Sequence, residues 1–193
     1  TGGSRRQIIN WRRGKPHTRK GIERHRVLFR TLFHAMETII QHADSVKASV
    51  AIEWPTGCLY WGWICVHRLV KKYNLHPAHF HGCMLGITSQ QPHQYGKPIK
   101  KPWTVRTNNR DLIQALGLYQ CTHARHEHAP CEGKDTKMTE SYSDQMADVI
   151  HSAFARSTAR HHDRCPTVPP SVKECCGLSE EDNAAWQQIP CGP

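Results

Sequence analysis

"SVAIEWP", residues 49–55, is the stretch on which the reading of this chain turns. It is a short apolar run closed by Pro55, the pattern of a buried strand. Upstream, from about Gly21 to His42, residues Phe29, Leu32, Phe33, Met36, Ile39 and Ile40 recur at three- and four-residue steps, which predicts a helix with one apolar stripe. Downstream, Trp61 to Tyr73 is helical again, with Cys65, Leu69, Val70 and Tyr73 on one face and Arg68, Lys71 and Lys72 beside them. A second strand is expected in "AHFHGCMLGI" (78–87), whose two glycines mark a bend or a close backbone approach. A third is expected in "PWTVRT" (102–107). "NNRDLIQALG" (108–117) makes a short helix capped by Asn108 or Asn109 and stopped at Gly117. In "TESYSDQMADVIHSAFA" (139–155), Tyr142, Met146, Val149, Ile150 and Phe154 align along a last helix. Strands alternating with helices predict an α/β domain with a largely parallel sheet. With three strands it reads as part of a doubly wound, Rossmann-like sheet.

The 193 residues suffice for one ordinary domain. Hydrophobic content of 38% is a little low, so part of the chain is expected outside the core. The composition divides it into a basic arm (1–20), an α/β domain (21–155) and an irregular tail or linker (156–193). With 26 basic residues against 16 acidic ones the net charge is +10, which favours an anionic partner, DNA or RNA before others. The arm carries Arg5, Arg6, Arg12, Arg13, Lys15, Arg19 and Lys20 for phosphates and Trp11 for stacking on a base. Nine cysteines, an odd number without an even frame, fit a reducing, intracellular setting with thiols free or bound to metal. Cys58, Cys65 and Cys83 lie in apolar stretches, where a free thiol behaves as a small hydrophobe. The chain opens "TGGSRRQ", without a signal peptide and without an initiator Met, as a processed product or excised piece would. No run approaches the ~20 apolar residues of a membrane helix, so no membrane partner is expected.

The densest chemistry is "CTHARHEHAPCEG" (121–133). Cys121, His126, His128 and Cys131 give C-x4-H-x-H-x2-C, with His123 as an alternative ligand. Thiolate and imidazole within one short loop are the ligands of zinc, and a closed set of four is a structural staple rather than a catalytic site. His-x-His in an extended segment would put both imidazoles on one side. The nearby His76, His79 and His81 read as surface or satisfied histidines, although His79 and His81 share a strand face. Glu53, at the end of the first strand, is the one candidate catalytic carboxylate, ahead of Asp111, Glu132 and Glu140. No G-x-S-x-G elbow and no Walker loop occurs.

Taken together, "VAIEWPTGC" (50–58), "LHPAHFHGCMLGI" (75–87), "KPIKKPWTVRTN" (97–108) and "CTHARHEHAPCEG" resemble a module of Copia-like retroelement polyproteins. That module lies between protease and integrase regions and carries EWP, DGCM-G, KPW and C-x4-H-E-H-x2-C segments in this order. The resemblance covers roughly residues 1–155, and "LSEEDNAAWQQIP" is similar to the linker beyond. His81 stands where that family often has Asp. The module in turn is similar to the C-terminal half of a class I methyltransferase acting on cytosine C5. That likeness implies a methyltransferase-like sheet in which Glu53 stands where a Glu contacts the base. The same likeness places the Pro-Cys nucleophile strand before Thr1, and no G-x-G loop for S-adenosylmethionine occurs in the chain.

The resulting expectation is a zinc-stabilised nucleic-acid-binding module without methyltransferase activity of its own. An enzyme using zinc or Glu53 on nucleic acid, and a structural polyprotein spacer, are the alternatives. A half-sheet would also leave an edge through which the chain could form a homo-oligomer.

Overall fold

The computed structural model describes Gly3 and residues 5–162. Helix α1 (Arg5–Arg13) leads into the 30-residue α2 (Pro16–Ser45), which starts on a proline at its first turn. Strand β1 (Ala51–Pro55), helix α3 (Ile64–Lys72) and strand β2 (His76–His81) follow, then β3 (Pro102–Thr107) and α4 (Arg110–Gly117). A five-residue helix α5 (Lys134–Met138) and the long α6 (Asp144–His162) complete the described chain. Over its described residues the arm expected at 1–20 is therefore mostly helical, and residue 20 lies inside an uninterrupted α2. Of the expected tail, 156–162 belong to α6 and 163–193 lie outside the described residues.

The domain mixes helix and strand, as its α/β reading requires, but the expectation of a largely parallel sheet is corrected. The sheet order is β1-β3-β2, and β3 runs antiparallel to both neighbours, with Ala51 and His76 each opposite Thr107. β1 and β2 are parallel to one another through the α3 crossover, but β3 is inserted between them. The second strand is also shorter than expected. Gly82 starts a 3-10 turn, Gly82–Leu85, and Gly86 at φ 78° closes it in a conformation that favours glycine. A side chain at Gly82 would put its Cβ 3.0 Å from Ile87 and 3.1 Å from Trp103, so the close approach read from the sequence is real there.

Each sheet face has its own core. Ile52 of β1 packs with Phe33 and Ile40 of α2 and with Val66 and Leu69 of α3. On the opposite face Ala78, Phe80, Trp103 and Val105 meet Leu112 and Leu116 of α4 and Met146 and Ala153 of α6. Alternation along the strands produces the two layers, because successive side chains take opposite faces. Asn109 fixes where α4 begins, its Oδ1 accepting from the Leu112 amide at 3.1 Å as an N-cap. Its neighbour Asn108 accepts from Val50 N at 2.8 Å and ties that helix start to the entry of β1. Among the described residues, no helix is long and apolar enough to cross a membrane.

Candidate metal centre

The outer edge of β2 holds the segment that leads into the cysteine–histidine loop. The His81 amide donates to Tyr119 O at 3.0 Å, and the Cys121 amide donates to His81 Nδ1 at 3.1 Å. This fixes Cys121 beside the turn that carries Cys83. The loop then turns back on itself over Arg125–Glu127, a single 3-10 turn in which the Glu127 carboxylate accepts from the Ala124 amide.

The result is a cluster of four metal-competent side chains. Cys83, Cys121, His123 and His128 each offer one ligand atom, and all four atoms lie within 4.8 Å of one another. Cys121 Sγ is 3.2 Å from His128 Nε2 and 3.6 Å from His123 Nδ1. In a tetrahedral site with metal–sulfur bonds of ~2.3 Å and metal–nitrogen bonds of ~2.0 Å, sulfur and nitrogen stand about 3.5 Å apart. Those two spacings are near the tetrahedral value, and the group could hold a metal ion. Three members are half-buried and His123 is exposed.

The membership differs from the sequence expectation in two places. His126 is exposed in the middle of the 3-10 turn and is not in the cluster. His-x-His shares a side only in extended backbone, whereas two steps at three residues per turn swing the second side chain far around. His123, the alternative ligand, occupies that place. Cys131 is exposed, with its sulfur 3.4 Å from the Thr139 hydroxyl, and is likewise outside the cluster. Its place is taken by Cys83, which an apolar sequence context disguised as a core thiol. The signal that could have found it is Gly82-Cys83 directly after a strand, where a turn can aim a side chain past the sheet edge.

Burial first, and then the adjacent Cys121 thiol, push Cys83 up to about 12. A bound cation would oppose both effects by stabilising the thiolate. His81 is held below the usual imidazole range by burial and then by Lys100, which suits a neutral ring accepting from Cys121. The loop is braced from behind by Asp135, fully buried at the start of α5. Its carboxylate accepts from Ser89 Oγ at 2.6 Å and from the Gln90 amide at 2.9 Å, and those bonds hold its pKa below the usual value.

Glu53 lies on the sheet face that carries Trp103 and Val105, opposite Val105 in register. Tyr142 OH donates to its Oε2 at 3.2 Å, while Oε1 is buried with no partner among the described residues. Desolvation raises its pKa, opposed by the Tyr142 bond and by Lys101. Glu53 is not a member of the metal-competent group. Arg5 and Arg6 lie on α1, and Arg12, Arg13, Lys15, Arg19 and Lys20 are exposed on and between α1 and α2. Trp11 is only half-exposed, with the Arg26 guanidinium 4.5 Å from its ring centroid. His79 Nδ1 is 2.9 Å from Thr104 Oγ1, so that imidazole already has a hydrogen-bond partner within the sheet.

No family model, curated protein or solved structure matches this chain significantly.

Proposed function

We propose that this chain is a zinc-stapled nucleic-acid-binding module of a retroelement polyprotein, with Cys83, Cys121, His123 and His128 as the zinc ligands. The convergence of those four side chains carries the reading. Two sulfurs and two imidazoles suit zinc and disfavour the hard cations magnesium and calcium, which take oxygen ligands. With four protein ligands the ion has no open position for water, so its role is to fasten the loop to the end of β2. Its binding free energy then adds to that of folding.

The nucleic-acid half of the proposal is supported by where the charge lies. Ten of the 26 basic residues, but only one of the 16 acidic ones, fall within residues 1–30. Nine of the ten units of net positive charge are therefore carried by α1, the first half of α2 and Lys15 between them. Such a concentration on two adjacent helices suits the phosphate backbone, whose counterions it would release. The order of the EWP, GCM-G, KPW and C-x4-H-E-H-x2-C segments supports the polyprotein origin. The α3 crossover between two parallel strands, with helices on both faces, supports a partial Rossmann-like, methyltransferase-like ancestry.

The test is fluorescence anisotropy of labelled duplex and single-stranded oligonucleotides titrated with zinc-loaded protein over a range of salt. Affinity that falls linearly on a log–log salt plot supports the proposal. Absence of binding at low salt overturns its nucleic-acid half and leaves a metal-stapled spacer.

A further inference from the structure

Helix α2 has two apolar faces, and among the described residues the core uses only one. Ile22, Phe33 and Ile40 point inward and are buried. On the other side Leu28, Leu32, Ala35, Ile39, His42 and Val46 follow steps of four and three residues, the spacing of a coiled-coil seam, and all are exposed. Leu28 is 54% exposed, Leu32 59%, Ile39 68% and Val46 50%. Val27, Thr31 and Thr38 flank the seam, so it carries no Asp, Glu, Lys or Arg from residue 27 onward. The exposed aliphatic side chains offer roughly 500 Å² of apolar surface, at the upper end of what a monomer shows as one patch.

We propose that this seam pairs with the same seam of a second copy of the chain, the two α2 helices running antiparallel about a twofold axis near Ala35. Charge sets the direction. Residues 16–30 of α2 hold five basic side chains and one acidic one, whereas 31–45 hold no Lys or Arg and two acids, Glu37 and Asp44. Lys20 and Arg24 line the rim of the seam at its N-terminal end, beside Val27 and Leu28, and are exposed. A parallel pair would set them against their own copies. An antiparallel pair sets them beside the partner's helix C-terminus, where Asp44 and the open carbonyls are negative.

Size and shape agree with a second copy. Two such stripes would bury about 1,000 Å² before any rim is added, the scale at which a specific interface begins to hold. Ala35 at the axis allows the helices to approach closely. Grooves of about 380 Å³, beside Val27 and Leu28, and about 430 Å³, between Ile39 and the edge of β1, flank it on either side. Grooves flanking an exposed row of side chains are the surface relief that ridges-into-grooves packing of two helices uses. A twofold contact closes on itself, so the assembly stops at two.

This inference goes beyond the nucleic-acid reading and is tested without nucleic acid. Sedimentation equilibrium of the zinc-loaded full chain, over a wide concentration range, should show the mass rising from 22.1 kDa towards twice that value. The double variant Leu32→Glu, Ile39→Glu should remain at the monomer mass with unchanged circular dichroism. If it fails to fold, Thr31→Lys with Thr38→Lys puts charge on the rim with less disturbance and should give the same mass. A photo-crosslinking residue in place of Leu28 should capture the partner near residues 42–46. Capture near residue 28 of the partner would overturn the antiparallel arrangement. A wild-type chain that stays monomeric would overturn the proposal, leaving the seam to a different protein. So would folded seam variants that remain dimeric, since the interface would then lie elsewhere. A monomeric variant that still binds DNA would leave the proposed function standing.

Discussion

Cys83 and Cys121 meet across the end of β2, close enough for one ion to bind both sulfurs. One comes from the turn that ends the strand, and the other from a segment laid along the strand's outer edge. Neither position has a ligand role without the fold. A metal ion bound by the pair would act as a long-range cross-link between the sheet and the loop after α4.

The ligand set is tested by exchange. Cys83→Ser and Cys121→Ser should each remove the bound zinc measured by elemental analysis, and each should lower the melting temperature. His126→Ala and Cys131→Ser should retain one zinc per chain. If Cys131→Ser loses the ion while Cys83→Ser keeps it, the ligand set proposed here is wrong.

Nucleic-acid binding should weaken by a countable amount. Arg13, Lys15 and Lys20 are exposed and belong to neither core cluster. Replacing all three with Ala should flatten the salt dependence of duplex binding by up to about 2.7 in the log–log slope, at ~0.9 for each phosphate no longer neutralised. An unchanged slope would move the binding surface away from this end of the molecule.

Glu53 should make the protein less stable at neutral pH than its amide would. Its folded pKa is raised above the ordinary 4.5. The folded state therefore takes up a proton at a higher pH than the unfolded one, and stability rises as pH falls through that window. Glu53→Gln keeps an acceptor for Tyr142 and removes the buried charge. The variant should melt higher than the parent at pH 7, with the gain gone once pH is below the unfolded value. A variant that melts lower at pH 7 would show that the ionised carboxylate has a favourable partner.

Asp135 has the opposite sign. Its folded pKa is depressed below 3.8 by the Ser89 hydroxyl and the Gln90 amide. The stability it contributes is full above the unfolded pKa and is lost as pH falls through the folded one. Asp135→Ala should therefore be destabilising at neutral pH and have a smaller effect in acid. Hydrogen exchange at the Gln90 amide, which donates to this carboxylate, should speed up in the variant.

Much of the local structure was legible because it depends on near neighbours. The strand ending at Pro55, the strand over residues 102–107 and the Asn109 cap follow from period, proline and capping chemistry. Strand direction was not legible. Nothing local in "PWTVRT" says whether it runs with or against β1, and that depends on which gap the chain enters after the 3-10 turn at Gly82–Leu85. The candidate metal site was half legible for a related reason. Cys121 and His128 were read from density of ligands in one loop, but His126 was drawn in by assuming extended backbone through a segment that coils. Cys83 comes from a separate part of the chain, and only the fold brings it to the site.

The central position of β3 also sets a schedule for synthesis. Ala51 and Thr107 are partners 56 residues apart, and β1 and β2 have no pairing with each other, only with the strand made last. A ribosome that has released residues 1–95 has therefore produced two strands and no sheet, with Phe80 lacking Trp103, Val105, Leu112 and Leu116, the core neighbours that follow it in the chain. Exposed apolar strands are the species that aggregate. Any protease cut or early stop before residue 107 would strand the chain in that state, so the segment through β3 must be delivered as one piece.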